Sequence, residues 1–260
     1  MADMTSRDRI VSNWLPRYTG MPLEKFGRLI LLTNFFAYVQ KFANRFKAPI
    51  MGMGGPMQAC TSESGITIVN FGIGSPNAAT VMDLLSAVHP DAVLFLGKCG
   101  GLKRSVDLGH FVLPIGAIRG EGTGLDYFPL EIPALPSFRL HALTAEEIVK
   151  KDQDYRTGVV YTTNRRVWEH DSDFKDHLVK MRAIAIDMET ATLFIVGHYN
   201  EIPRGALLLV SDVPVIPEGI KTEEMDREVN TKFSDLHLEL GIATMESLQK
   251  SGEKVKHLRY

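Results

Sequence analysis

What most constrains this chain is a repeated unit: a short, wholly apolar run that stops abruptly at glycine or polar residues, then a stretch with helical periodicity. The runs at Leu29–Thr33, Gly65–Phe71, Ala92–Leu96, residues 109–118, Thr157–Thr163, Ala183–Ile186 and Gly205–Val210 are short and mostly rich in Val, Ile and Leu. Such runs suit strands covered on both faces, which calls for helices on each side of a sheet. Helical patterns fall between them: Phe35, Tyr38, Val39, Phe42 and Phe46 after Asn34, a segment opened by Ser75 and Pro76 that runs to His89, and stretches at 142–151, 171–181, 189–199 and 226–249. The alternation predicts an α/β fold with a central twisted, mostly parallel mixed sheet flanked by helices. Residues 1–26, with Pro16, Gly20 and Pro22, are expected to form an irregular arm or short helix, leaving 27–260 as one α/β domain. Residues 52–59 read as a flexible turn, the proline-rich 128–136 as an irregular surface excursion, and Lys250, Lys254, Lys256, His257 and Arg259 as a solvated tail.

Charge narrows the classes of partner. Lysine and arginine number 29 against 31 acidic residues, a formal charge of -2. There is no global basic field to gather a nucleic acid, whereas a small phosphorylated ligand needs only a few local cations. The N-terminus is charged where a leader would be apolar, and no run of eighteen apolar residues occurs, so no membrane association and a cytoplasmic location are expected. Cys60 and Cys99, far apart, fit a reducing compartment. No His/Cys/carboxylate spacing indicates a metal, and no cofactor is expected.

In an open α/β sheet the ligand groups gather beyond the carboxyl ends of the strands. Five such loops carry unusual residues: Thr33-Asn34, Gly72 to Asn77, Gly97 to Gly101, Asp187-Met188-Glu189 and Ser211-Asp212. Gly72 and Gly74 permit close backbone approach, and the helix start after them offers unpaired amides, although a structural turn explains them equally well. The segment lacks a full GxGxxG because position 77 is Asn, which argues against a dinucleotide site. Asp212, directly after an apolar run, either caps a turn near Pro214 or is a carboxyl in a partly dry pocket, able to donate a proton. Glu189 either caps a helix or accepts hydrogen bonds from sugar hydroxyls. Met188 is either core filler or an apolar wall under a sugar.

Four segments, VNFGIGSPNAAT at 69–80, FLGKCGGL at 95–102, VVYTTNRRVWE at 159–169, and AIDMETATL through LLLVSDVP, resemble the nucleoside phosphorylase and nucleosidase superfamily, and within it the catalytic portion of the bacterial AMP nucleosidases. The resemblance covers most of the chain after about residue 27. It implies hydrolysis of the N-glycosidic bond of AMP to adenine and ribose 5-phosphate, with Asp212 protonating purine N7, Ser211 positioning the acid, and Met188 and Glu189 below the ribose. It implies backbone approach at Gly74 and Gly97, a base pocket with Arg165 and Trp168, and phosphate ligands among Lys98, Arg119, Arg165, Lys221 and Arg227, with Arg119 and Lys221 favoured. Phe95 stands where phosphate-using relatives carry an arginine, which favours water as nucleophile. Asn34 stands where a small nucleosidase has a glutamate, so it can orient water but cannot take its proton. A homo-oligomer is also implied, often a hexamer made from dimers, with apolar contacts around Phe128 to Phe138. A catalytic portion standing without a regulatory domain is a further expectation. The alternatives are a purine nucleoside phosphorylase using inorganic phosphate and a non-catalytic nucleotide-binding protein.

Overall fold

The computed structural model describes residues 5–216, 219–253 and 255. Eight strands lie among them: β1 (Leu29–Thr33), β2 (Gln58–Thr61), β3 (Ile66–Asn70), β4 (Ala92–Gly101), β5 (Phe111–Gly120), β6 (Tyr155–Thr163), β7 (Ala185–Asp187) and β8 (Arg204–Asp212). The α-helices are α1 (Ser6–Thr19), α2 (Phe36–Phe46), α3 (Ser75–Leu85), α4 (Phe138–Lys150), α5 (Ser172–Lys180), α6 (Thr190–Tyr199) and α7 (Glu223–Ser251). The sheet order is β2-β3-β1-β4-β7-β6-β5-β8, and β8 also pairs with β4, so β4, β7, β6, β5 and β8 close into a ring. Pairing is parallel for β1 with β3 and β4, β4 with β8, β5 with β6, and β6 with β7. It is antiparallel for β2–β3, β4–β7 and β5–β8, giving the mostly parallel mixed sheet the sequence predicts.

Both faces of the strands are covered, which is why the runs are largely apolar and do not alternate with polar residues. Ile30 and Leu32 join one core with Phe71 and Phe95, while Leu29 and Leu31 join the other with Leu94, Leu96 and Leu207. The first core packs under α3 and α6, the second under α2, α4 and α7.

Of the two expectations for the N-terminal segment the structure has the helix, opened by a capping box between Thr5 and Asp8 and closed by Gly20 at φ 64, with Val11, Leu15 and Thr19 buried. Two local expectations need correction. The turn expected over 52–59 gives way to β2 at Gln58, an antiparallel edge too short to show a period. Strand β4 does not stop at Leu96 but runs through the glycines to Gly101. It stays paired with β8 as far as Gly100, through a register shift between Cys99 and Gly100, and beyond its last β1 pair at Leu96 it also pairs with β7 at Gly100 and Gly101. A Cβ on Gly101 would lie 2.5 Å from the Val106 carbonyl oxygen, so this position needs a residue without a side chain. Residues 128–136 form neither helix nor strand, as expected. Lys250 lies exposed on α7, while Lys254, Lys256, His257 and Arg259 fall outside the described residues. No described helix is long and apolar enough to cross a membrane.

Candidate active site

All five loops meet at one cleft. Its lining includes Asn34, Ile73, Lys98, Gly100, Met188, Glu189, Ser211 and Asp212, with Thr163, Arg165, Arg166, Trp168 and Lys221 on the remaining side. The cause is topological: β1, β3, β4, β6, β7 and β8 all deliver their carboxyl ends there.

Asp212 is the last residue of β8, paired in register with Gly100 and 9% exposed. Ser211 Oγ donates to its Oδ1 at 2.7 Å. Burial pushes the Asp212 carboxyl above its ordinary value, against the opposing pull of the Ser211 hydroxyl, Lys221 and Arg166. A Cβ on Gly100 would sit 3.2 Å from Asp212 Oδ2 and 3.0 Å from the Pro214 ring, so this glycine clears room for the acid.

Glu189 lies just ahead of α6 and is 2% exposed. Its Oε1 accepts from the Gly74 amide at 2.7 Å, and the Asn34 side chain hydrogen-bonds it. Gly74 is held at φ 96 and ψ 158, a conformation open essentially to glycine alone. The same loop is tied down by Ser75 Oγ, which donates to the Met188 carbonyl at 2.8 Å. Burial, then the neighbouring Asp187, raises Glu189 to about 8. Asp187 accepts from the hydroxyls of Thr162 and Thr190 and from the amides of Glu189 and Thr190. With four donors, it is the better placed of the pair to keep the negative charge, so the shared proton sits on Glu189. Asn34 lines the cleft, and its Oδ1 is a buried acceptor with no partner among the described residues.

The cations divide sharply. Lys98 has a side chain only 3% exposed and donates to Asp226 and Asn230, each at 2.8 Å, with its ammonium 4.5 Å from the Phe35 ring centre. Lys221 shares the same Asp226 oxygen at 3.0 Å. Arg165 pairs with Asp171 at 2.8 Å and lies over Phe174, against which Trp168 also packs edge-on. The other three candidates do not reach the cleft. Arg119 donates to the carbonyls of Phe128, Pro129 and Ile132, where it holds the irregular 128–132 segment in place of a phosphate. Arg227 is 76% exposed at its side chain and pairs with Glu223 one helical turn away. Gly97 is covered by the Phe95 ring, 2.3 Å from where a Cβ would be, so its role is packing within β4. Sequence reasoning did not single out Gly100, Arg166 or Asp226. Arg166 adjoins Arg165 in the quoted 159–169 segment, but adjacency does not say which guanidinium faces inward. A larger groove, about 910 Å³ against about 170 Å³ for the cleft, opens at the other end of the sheet. There Arg28 pairs with Asp91 and Arg7 with Asp83.

This sheet, with a buried acid at the end of one strand and a second buried carboxyl across the cleft, places the chain in a class, and the family comparison names it. The chain belongs to the phosphorylase superfamily, whose model matches residues 19–243. It is 30% identical to an AMP nucleosidase of Escherichia coli (strain K12), over 93% of this chain and 59% of that protein. The chain therefore spans about three fifths of the length of that curated relative. The crystal structure of AMP nucleosidase from Bacteroides thetaiotaomicron VPI-5482 is 51% identical, with a TM-score of 0.85 over 95% of this chain and 100% of that one. A purine nucleoside phosphorylase from Toxoplasma gondii shares the fold, with a TM-score of 0.79 at 15% identity, over 89% of this chain and 95% of that one.

Proposed function

We propose that this chain hydrolyses the N-glycosidic bond of AMP, releasing adenine and ribose 5-phosphate. The observation that carries the reading is one cleft with two buried carboxyls in different settings: Asp212 among side-chain cations, Glu189 among amides beside a second acid. In this mechanism the bond from the anomeric carbon to N9 breaks and its electron pair leaves with the base. Asp212 supplies a proton to N7 as that charge develops. Positive charge grows on the ribose, and the Glu189–Asp187 pair, which carries one negative charge, stabilises it while Glu189 accepts from the sugar hydroxyls. Water adds to the anomeric carbon, and the proton it gives up passes through solvent to Asp212 and restores the acid. The unpartnered Asn34 Oδ1 is the acceptor that orients this water, and Met188 forms the apolar floor. Lys98 and Lys221, with one carboxylate between them, leave a net positive charge in the cleft wall that suits a phosphorylated substrate. Phe95, buried and packed on Phe71, offers inorganic phosphate no guanidinium. The 51% identity to the Bacteroides AMP nucleosidase supports the same choice.

The same reading has the chain acting in the cytoplasm as a homo-oligomer, for which Leu130 and Phe138, 64% and 84% exposed, offer apolar contacts. The test is incubation with AMP and with adenosine, each with and without phosphate, and identification of the sugar. Ribose 5-phosphate from AMP without added phosphate is expected. Ribose 1-phosphate formed only from adenosine and phosphate would make the chain a phosphorylase, and binding without turnover would make it a nucleotide-binding protein.

A further inference from the structure

One carboxylate behind the two lysines of the cleft wall belongs neither to the acid nor to the sugar side. Asp226 lies in the first turn of α7, and its Oδ1 accepts from Lys98 at 2.8 Å and from Lys221 at 3.0 Å. Its Oδ2 accepts from the Asn230 amide at 3.2 Å, and Asn230 Oδ1 in turn accepts from Lys98 at 2.8 Å. Lys98 comes from the interior of β4 and Lys221 from the loop that follows Asp212, so a single oxygen joins two cations from different elements. Lys221 reaches the acid only indirectly: it donates to Ser211 Oγ at 3.4 Å, and Ser211 donates to Asp212 Oδ1 at 2.7 Å. The ion pair that Lys221 makes among the described residues is with Asp226.

An ammonium paired directly with Asp212 would stabilise its charged form, the form that has no proton to give. The field at Asp212 is set from several elements. Lys221 faces it from the loop after β8, Arg166 and Glu169 from the loop after β6, and Lys98 and the Cys99 thiol from β4, with Asp187 of β7 also acting on Cys99. Lys98 and Lys221 share one counter-charge, and that counter-charge is Asp226.

We propose that Asp226 is a positioning residue that gathers Lys98 and Lys221 onto one carboxylate and so holds Lys221 off Asp212, leaving the acid able to carry its proton. This rests on the reading of Asp212 as the proton donor. Without the Asp226 charge, Lys221 turns to Asp212 and the acid deprotonates at lower pH.

The experiment follows the Asp212 carboxyl by carbon-13 NMR in protein labelled at aspartate, with the signal assigned by its loss in Asp212→Asn. In Asp226→Asn the titration midpoint of Asp212 is expected to fall by about one pH unit. AMP turnover on the alkaline side of that midpoint is expected to drop about tenfold. In the double variant Asp226→Asn with Lys221→Gln the midpoint returns toward the wild-type value, because the cation that moved it is gone. A midpoint unmoved in Asp226→Asn, with turnover lowered equally at all pH, overturns the inference and makes Asp226 a structural support. A midpoint that falls and stays low in the double variant also overturns it, since Lys221 is then not the agent. The wild-type AMP assay separates this from the reading beneath it: no turnover by the wild type removes the proposed function itself.

Discussion

The two ends of the cleft keep a carboxyl buried by different means. At the end proposed to hold the base, Asp212 is surrounded by charges on long side chains, Lys221 with Asp226 as its counterweight and Arg166 with Glu169. At the end proposed to hold the ribose, Glu189 meets fixed groups: the Gly74 amide, the start of α6 and the four-fold anchored Asp187. Side-chain cations can be moved, screened by salt or neutralised, while backbone dipoles stay where the fold puts them. In the proposed mechanism, the acid that changes protonation during turnover is thus adjustable, and the carboxyl that waits for charge on the sugar is locked.

The comparison breaks most completely if the base end does not supply the proton. Asp212→Asn is expected to lower kcat by about 10²–10⁴-fold with AMP binding retained, measured by steady-state turnover and calorimetric titration. Unchanged turnover removes the acid from the mechanism.

At the locked end, Glu189→Gln is expected to cost about 10²–10³ in kcat and to reveal what the burial of that carboxyl costs the fold. The folded value of about 8 lies above the unfolded value of 4.5, so over that interval the folded chain holds a proton that the unfolded chain has released. Stability from this site is therefore complete below the lower value and falls as pH climbs to the higher one. Glutamine has no charge to bury. The variant should melt above the wild type by about 10 °C or more at alkaline pH, with no difference near pH 4, by scanning calorimetry. A variant that melts lower at alkaline pH would show that the Glu189 charge is stabilising.

Gly100→Ala sharpens the contrast, because its new methyl meets Asp212 Oδ2 and Pro214 but lies outside the Glu189 contacts. About a tenfold loss in kcat with an unchanged pH dependence of melting is expected. If that pH dependence changes as well, the two ends are mechanically linked.

The smallest effects concern the arginines. Arg119→Ala should lower stability by about 1–3 kcal/mol in urea, because three carbonyls lose their donor, while leaving the KM for AMP alone. Arg227→Ala should change neither stability, within about 0.5 kcal/mol, nor KM. A raised KM in either would return that arginine to the substrate, through a second copy of the chain.

Much of this was legible without coordinates. The unbroken apolar runs gave the strands because burial on both faces removes any need for polar residues, and the loops that follow them gave Asn34, Glu189 and Asp212. Edge strand β2 was not legible, since four residues within a glycine-rich stretch show no period. Nor was the extension of β4: Gly97, Gly100 and Gly101 read as a turn, yet each is a glycine because another part of the chain comes close. Among the cations, charge placed five in or after the right loops, but only packing separates Lys98, Lys221 and Arg165 from Arg119 and Arg227.

By itself, the sequence determined most of the segments that become strands and which acids stand at strand ends, because hydrophobic pattern and loop position are local properties. The tertiary structure alone decided what each acid feels. The ring closed by β8 against both β4 and β5 brings Asp212 beside Gly100, and α7 swings Asp226 onto lysines 128 and 5 positions away in the chain. Protonation depends on burial and on charges within a few ångströms, and those distances exist only once the chain has folded.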